Sequence, residues 1–138
     1  MMLELFDGPS AAECFERTDS IMPQQALALA NSSLALMQSR KLARSLSEAP
    51  AGTALSSDAD FLRAAFERVL SRTPSADELA KTEAFLQRQA AALADPSKLT
   101  RTTTGLNSSL APSTDPRLRA RENLVHVLLN YHEFVTIR

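Results

Sequence analysis

Every glycine and proline in this chain falls between, or at the first position of, a segment with apolar residues at helical spacing. The glycines are Gly8, Gly52 and Gly105; the prolines are Pro9, Pro23, Pro50, Pro74, Pro96, Pro112 and Pro116. Both residue types are costly inside a helix and cheap at its ends. A chain punctuated this way is predicted to be all-α, a small bundle of four to five helices. An irregular N-terminal arm and a long Ser/Thr-rich loop complete it. Its length of 138 residues is that of one domain spanning 1–138.

The segments follow from the local chemistry. Residues 1–20 form an acidic arm, in which Glu4, Asp7, Glu13, Glu16 and Asp19 face one base, Arg17. Residues 23–47 read as one helix or a broken pair. Pro23 opens it, Asn31-Ser32-Ser33 interrupts it with poor helix formers that are good caps, and Leu34, Met37, Leu42 and Leu46 continue the apolar face. Residues 58–94 are predicted to be a helical hairpin. Ser57 caps the first helix, Leu62, Ala65, Phe66 and Val69 form its buried face, and Ser75-Ala76-Asp77-Glu78 is a capping box for the second. Residues 95–115 are the Ser/Thr-rich loop, long enough for mobility to be expected. Residues 116–138 hold the last helix, started by Asp115-Pro116, with Leu118, Val125, Leu128 and Leu129 toward the core. Phe134-Val135-Thr136-Ile137 is short, apolar and β-branched, and reads as an extended tail packed on the bundle.

Composition excludes several kinds of chemistry. The formal net charge of −1 gives no global field toward nucleic acid or an anionic membrane. No stretch approaches the roughly 18 consecutive apolar residues of a membrane span. Residues 1–7 lack the basic start and apolar run of a signal peptide. With one cysteine, Cys14, there is no internal disulfide and no paired-cysteine metal or haem motif. No nucleophile elbow, phosphate-cradling loop or dinucleotide fingerprint occurs, and no cofactor is implied.

The remaining candidate groups are few. Cys14 has Arg17 three residues on, near enough on a helix to favour a thiolate; otherwise it is a small buried hydrophobe. Gln25 and Asn31 are polar residues beside the strongest apolar stretch, suited to a binding site or to tying helix ends. Glu122 and His126 share a helix face and are weak metal-ligand candidates; a hydrogen-bonded histidine is the better reading. Arg117, Arg119 and Arg121 read as a solvated helix start that pairs with the acidic arm.

Four stretches, in order, resemble one family. They are Leu5-Phe6-Asp7-Gly8-Pro9 with Cys14 and Arg17; Pro23, Gln25-Ala26-Leu27, Leu29 and Asn31; Arg72, Pro74 and Glu78-Leu79; and Leu128-Leu129-Asn130 with Glu133-Phe134. The chain looks like the C-terminal domain of unknown function of large secreted planctomycete proteins, which also carry a planctomycete cytochrome-c-like domain. Ala30 stands where that family often has Leu, and Tyr131-His132 replaces a small polar pair. The resemblance supplies no catalytic residues. It implies an exported parent, periplasmic or at the cell surface, of which this chain is the tail.

The expected role is therefore a structural or interaction module that packs on upstream domains of the parent or on a protein partner. The alternative is that Cys14, Arg17, Gln25 and Asn31 contribute to an active or binding site that upstream domains complete.

Overall fold

The computed structural model describes residues 27–28, 30–48, 57–99 and 109–135. The described residues form a small all-α bundle without strands. Its elements are α1 (Ser33–Ser47), α2 (Asp58–Leu70), α3 (Ala76–Leu93), a 3-10 turn (Pro96–Lys98), α4 (Pro116–Leu129) and the short α5 (His132–Val135). The acidic arm lies outside the described residues, as do 100–108 of the Ser/Thr-rich loop and Thr136 and Ile137 of the tail.

The helix ends follow the sequence chemistry closely. A helical turn from Leu27 ends at Asn31, and Ser32 starts α1 afresh by accepting from the Ala35 amide. Ser57 caps α2, and both halves of the Ser75–Glu78 capping box open α3. Asp115 caps α4, with Pro116 in its first turn, where a missing N–H costs nothing. The hairpin connection hinges on Ser71, which closes α2 in the left-handed region at φ 55°.

The core is built from Phe61, Leu62, Ala65, Phe66 and Val69 of α2, Leu86 of α3, Ala43 of α1, and Ala120, Leu124, Val125 and Leu128 of α4. Leu79, Ala90 and Leu93 pack at its margin. α4 is the central element and packs on both α1 and α3. Contacts from Ala30 to His126 and from Arg44 to Glu122 show that α1 and α4 run antiparallel.

Two expectations are corrected. The fully buried stripe of α1 is Ala35, Ser39 and Ala43; Leu42 and Leu46 pack against the core as expected, whereas Leu34 is 54% exposed. Small side chains at the seam let the α1 and α4 backbones approach, and the Ser39 hydroxyl is satisfied by donating to Leu36 O at 2.8 Å. The tail is also different. Phe134 and Val135 belong to a helical turn, closed by the Phe134 amide on Tyr131 O at 2.9 Å, and Phe134 is 45% exposed. Glu133 on the same turn is anchored by Arg72, and that tether outweighs the weak strand preference of so short a run.

Residues 109–113 are held against the bundle. Arg40 donates to Leu110 O, Arg44 Nη2 donates to Ala111 O at 2.7 Å, and the Ser113 amide donates to Glu122 Oε2 at 3.0 Å. The main chain of this part of the 95–115 loop is thus bonded to α1 and α4.

Candidate functional site

Cys14, Arg17 and Gln25 lie outside the described residues, so of the four residues grouped as a binding site only Asn31 is placed. Asn31 is exposed at the end of a helical turn. Its backbone amide and its side-chain Nδ2 each donate to Leu27 O at 3.0 Å. The side-chain amide thus adds a second bond to a carbonyl that the backbone of the turn already pairs.

Glu122 and His126 face different partners. Glu122 is 2% exposed, with Oε1 2.8 Å from Arg44 Nε and Oε2 taking the Ser113 amide. His126 Nε2 sits 2.9 Å from Ala30 O. A carbonyl can only accept, so Nε2 donates in this bond. Nδ1 is buried without a partner among the described residues, as is Oδ1 of Asn130, whose Nδ2 donates to His126 O at 2.8 Å. Among the described residues no group of His, Cys, Asp or Glu side chains suited to a metal ion comes together.

The arginines of α4 are not a uniformly solvated helix start. Arg121 is 8% exposed. Its Nη2 lies 2.8 Å from Asp58 Oδ1, its Nη1 donates to Ser47 Oγ at 3.1 Å, and its guanidinium stands 4.6 Å from the centre of the Phe61 ring. Exposed Arg117 reaches the same Asp58 oxygen at 3.3 Å. Burial alone would raise the Asp58 pKa, but the bonds from Arg121 and Arg117 outweigh it and hold the carboxyl below its ordinary value. Nothing in the periodicity signals these charges, because a charged doublet at 121–122 interrupts the arc of α4 that faces the core.

A second hub joins the hairpin to the C-terminal turn. Arg72 bonds both oxygens of Glu78, at 2.8 and 2.7 Å, and both oxygens of Glu133, at 2.8 and 2.9 Å. Its guanidinium lies 5.5 Å from the Phe66 ring centre. The Arg72 bonds, then the backbone amide of Ser75, hold the Glu78 carboxyl down at about 2. This geometry is that of a clamp, with the cation bonded to two carboxylates at once.

A cleft of about 290 Å³ lies beside α3, lined by Asp58, Leu86, Gln87, Ala90 and Arg117. It falls at the small end of ligand pockets. Its charged groups, Asp58 and Arg117, are paired with each other.

The exposed large apolar side chains of the described residues gather at the opposite end from the Arg121–Asp58 pair. They are Leu27, 63% exposed, Leu34, 54%, Val127, 50%, and Tyr131 and Phe134, each 45%. The bond from His126 to Ala30 brings the start of α1 beside the end of α4, which places all of them around one end of the bundle. Each of these exposures alone is ordinary for a surface residue.

No curated protein and no solved structure matches the chain. A family model described as PSD1, protein of unknown function (DUF1553), matches residues 1–86, and the chain belongs to that family.

Proposed function

We propose that this chain is a structural or interaction module of a larger, exported planctomycete-type protein, and that it docks through the apolar end of its bundle. The supporting observation is the gathering of Leu27, Leu34, Val127, Tyr131 and Phe134 where α1 begins and α4 ends. The described polar groups support the same reading. Most serve as caps, as ion pairs between helices, or as anchors for residues 109–113. The partner is an upstream domain of the parent protein, such as the cytochrome-c-like domain that the sequence resemblance implies.

The test is sedimentation of the chain alone and mixed with the polypeptide encoded upstream in the same gene. Association is expected, and Val127→Glu or Phe134→Glu should weaken it at least tenfold, since a buried unpaired carboxylate is strongly disfavoured at an apolar interface. A chain that ignores the upstream polypeptide, or binding untouched by both substitutions, would overturn the reading.

A further inference from the structure

Among the described residues, positive charge in excess of its counter-charge is concentrated where the middle of α1 meets the first turns of α4. Arg40 and Arg44 are one turn apart on α1; Arg119 and Glu122 are one turn apart on α4. Glu122 bonds Arg44 and also attracts Arg40. Arg119 has no ion-pair partner among the described residues, yet it stands close enough to Arg40 to repel it. Among the described residues the cluster thus sets three guanidiniums against one carboxylate, a local charge of 3 − 1 = +2.

These cations are not simply waving in solvent. Arg40, Arg44 and Arg119 are each half-buried. Burial, with added repulsion from Arg119 and Arg44, pulls the Arg40 pKa down against the opposing pull of Glu122. The fold therefore holds this charge at a cost that a second anion would relieve. Donors are plentiful too. A guanidinium offers five N–H groups. Arg40 uses one on Leu110 O, Arg44 uses two on Glu122 and Ala111 O, and Arg119 uses none within the described residues.

We propose that Arg40, Arg44 and Arg119 form a binding site for a tetrahedral oxyanion, a phosphate or sulfate group, beside residues 109–113. A divalent anion matches the local +2, whereas a single carboxylate leaves the cluster half compensated. Guanidinium forks are suited to adjacent oxygens of such a group. The site is independent of the apolar end and does not rest on the docking role.

The experiment uses the full chain. Its thermal midpoint and calorimetric binding are followed with sodium sulfate and sodium phosphate, against sodium chloride and sodium acetate at matched ionic strength, which removes general screening. Sulfate and phosphate should raise the midpoint saturably, and chloride and acetate should not. Arg119→Gln should weaken binding about tenfold, the effect of losing one charged hydrogen-bond partner, while its midpoint in chloride matches the parent. Arg63→Gln, an exposed site elsewhere on the surface, should bind as the parent does. Phenyl phosphate separates the sources: binding shows that an ester on a larger molecule fits, and its failure beside bound inorganic phosphate restricts the site to the free ion. In the unmutated chain, sulfate should shift the backbone amide resonances of Arg40, Arg44 and Arg119. Equal stabilisation by chloride, full-strength binding by Arg119→Gln, or resonance shifts confined to other regions would overturn the assignment.

Discussion

Arg44 Nε and Glu122 Oε1 meet at 2.8 Å across the seam between α1 and α4, with the Glu122 side chain 2% exposed and Arg44 28% exposed. The pair matters because Glu122 has no water to fall back on. Arg44→Ala leaves a buried carboxylate with only the Ser113 amide as partner, and should destabilise the chain by about 3 kcal/mol. Glu122→Gln, which keeps the shape and one acceptor, should cost less than half of that. Urea unfolding of both variants checks the ranking; an Arg44→Ala chain as stable as the parent would show that the pair contributes nothing.

The clamp on Glu78 makes stability depend on acid. Its carboxyl is held at about 2 by Arg72 and the Ser75 amide, against an ordinary value of 4.5. A depressed carboxyl stabilises the fold above the unfolded value, and that contribution is lost as pH falls through the folded one. The stability gap between the parent and Glu78→Gln should therefore be full above pH 4.5 and shrink steadily toward pH 2. Urea midpoints measured between those limits would reveal it, and a gap that stays constant with pH would count against the clamp.

Ser71 offers a stabilising change. Its φ of 55° is unfavourable for a residue with a β-carbon. Ser71→Gly removes that penalty, partly offset by the greater freedom of glycine in the unfolded chain. A net gain of about 0.5–1 kcal/mol is expected, read as a higher thermal midpoint.

The α1–α4 seam tolerates shrinking but not growth. Ser39 is 1% exposed and its hydroxyl is already used locally on α1. Ser39→Ala should change stability little, whereas Ser39→Leu forces side-chain volume between two close backbones and should cost about 1–3 kcal/mol. Equal denaturation midpoints for the two variants would mean the seam is not tightly packed.

Much of this architecture was written in local chemistry. The caps at Ser32, Ser57, Ser75 and Asp115 and the buried face Leu62–Val69 could be read directly, because each depends on residues within a turn or two of one another. The α1 face is legible at Leu42 and Leu46, which pack on the core, but not at Ala35, Ser39 and Ala43, because hydrophobic periodicity gives little weight to the small residues that close helix packing favours. Burial of Arg121 and Glu122 was hidden for another reason. Their partners Asp58 and Arg44 are 63 and 78 residues away, and no periodicity within α4 can announce such a pairing. The same holds for Arg72, whose partner Glu133 comes 61 residues later. Of the residues grouped for a site, Asn31 alone falls within the described residues, where its side chain bonds Leu27 O.

The family match ends at Leu86, seven residues before the last residue of α3, Leu93. Yet the helix that covers the Ala35–Ser39–Ala43 stripe starts at Pro116. The stretch by which relatives are recognised and the stretch that can shed its water are therefore not the same. A protein cut at the recognised boundary would sever α3 mid-course and bare Phe61, Leu62 and Ala43 to solvent. In this chain the seam is closed by a helix drawn from beyond that boundary.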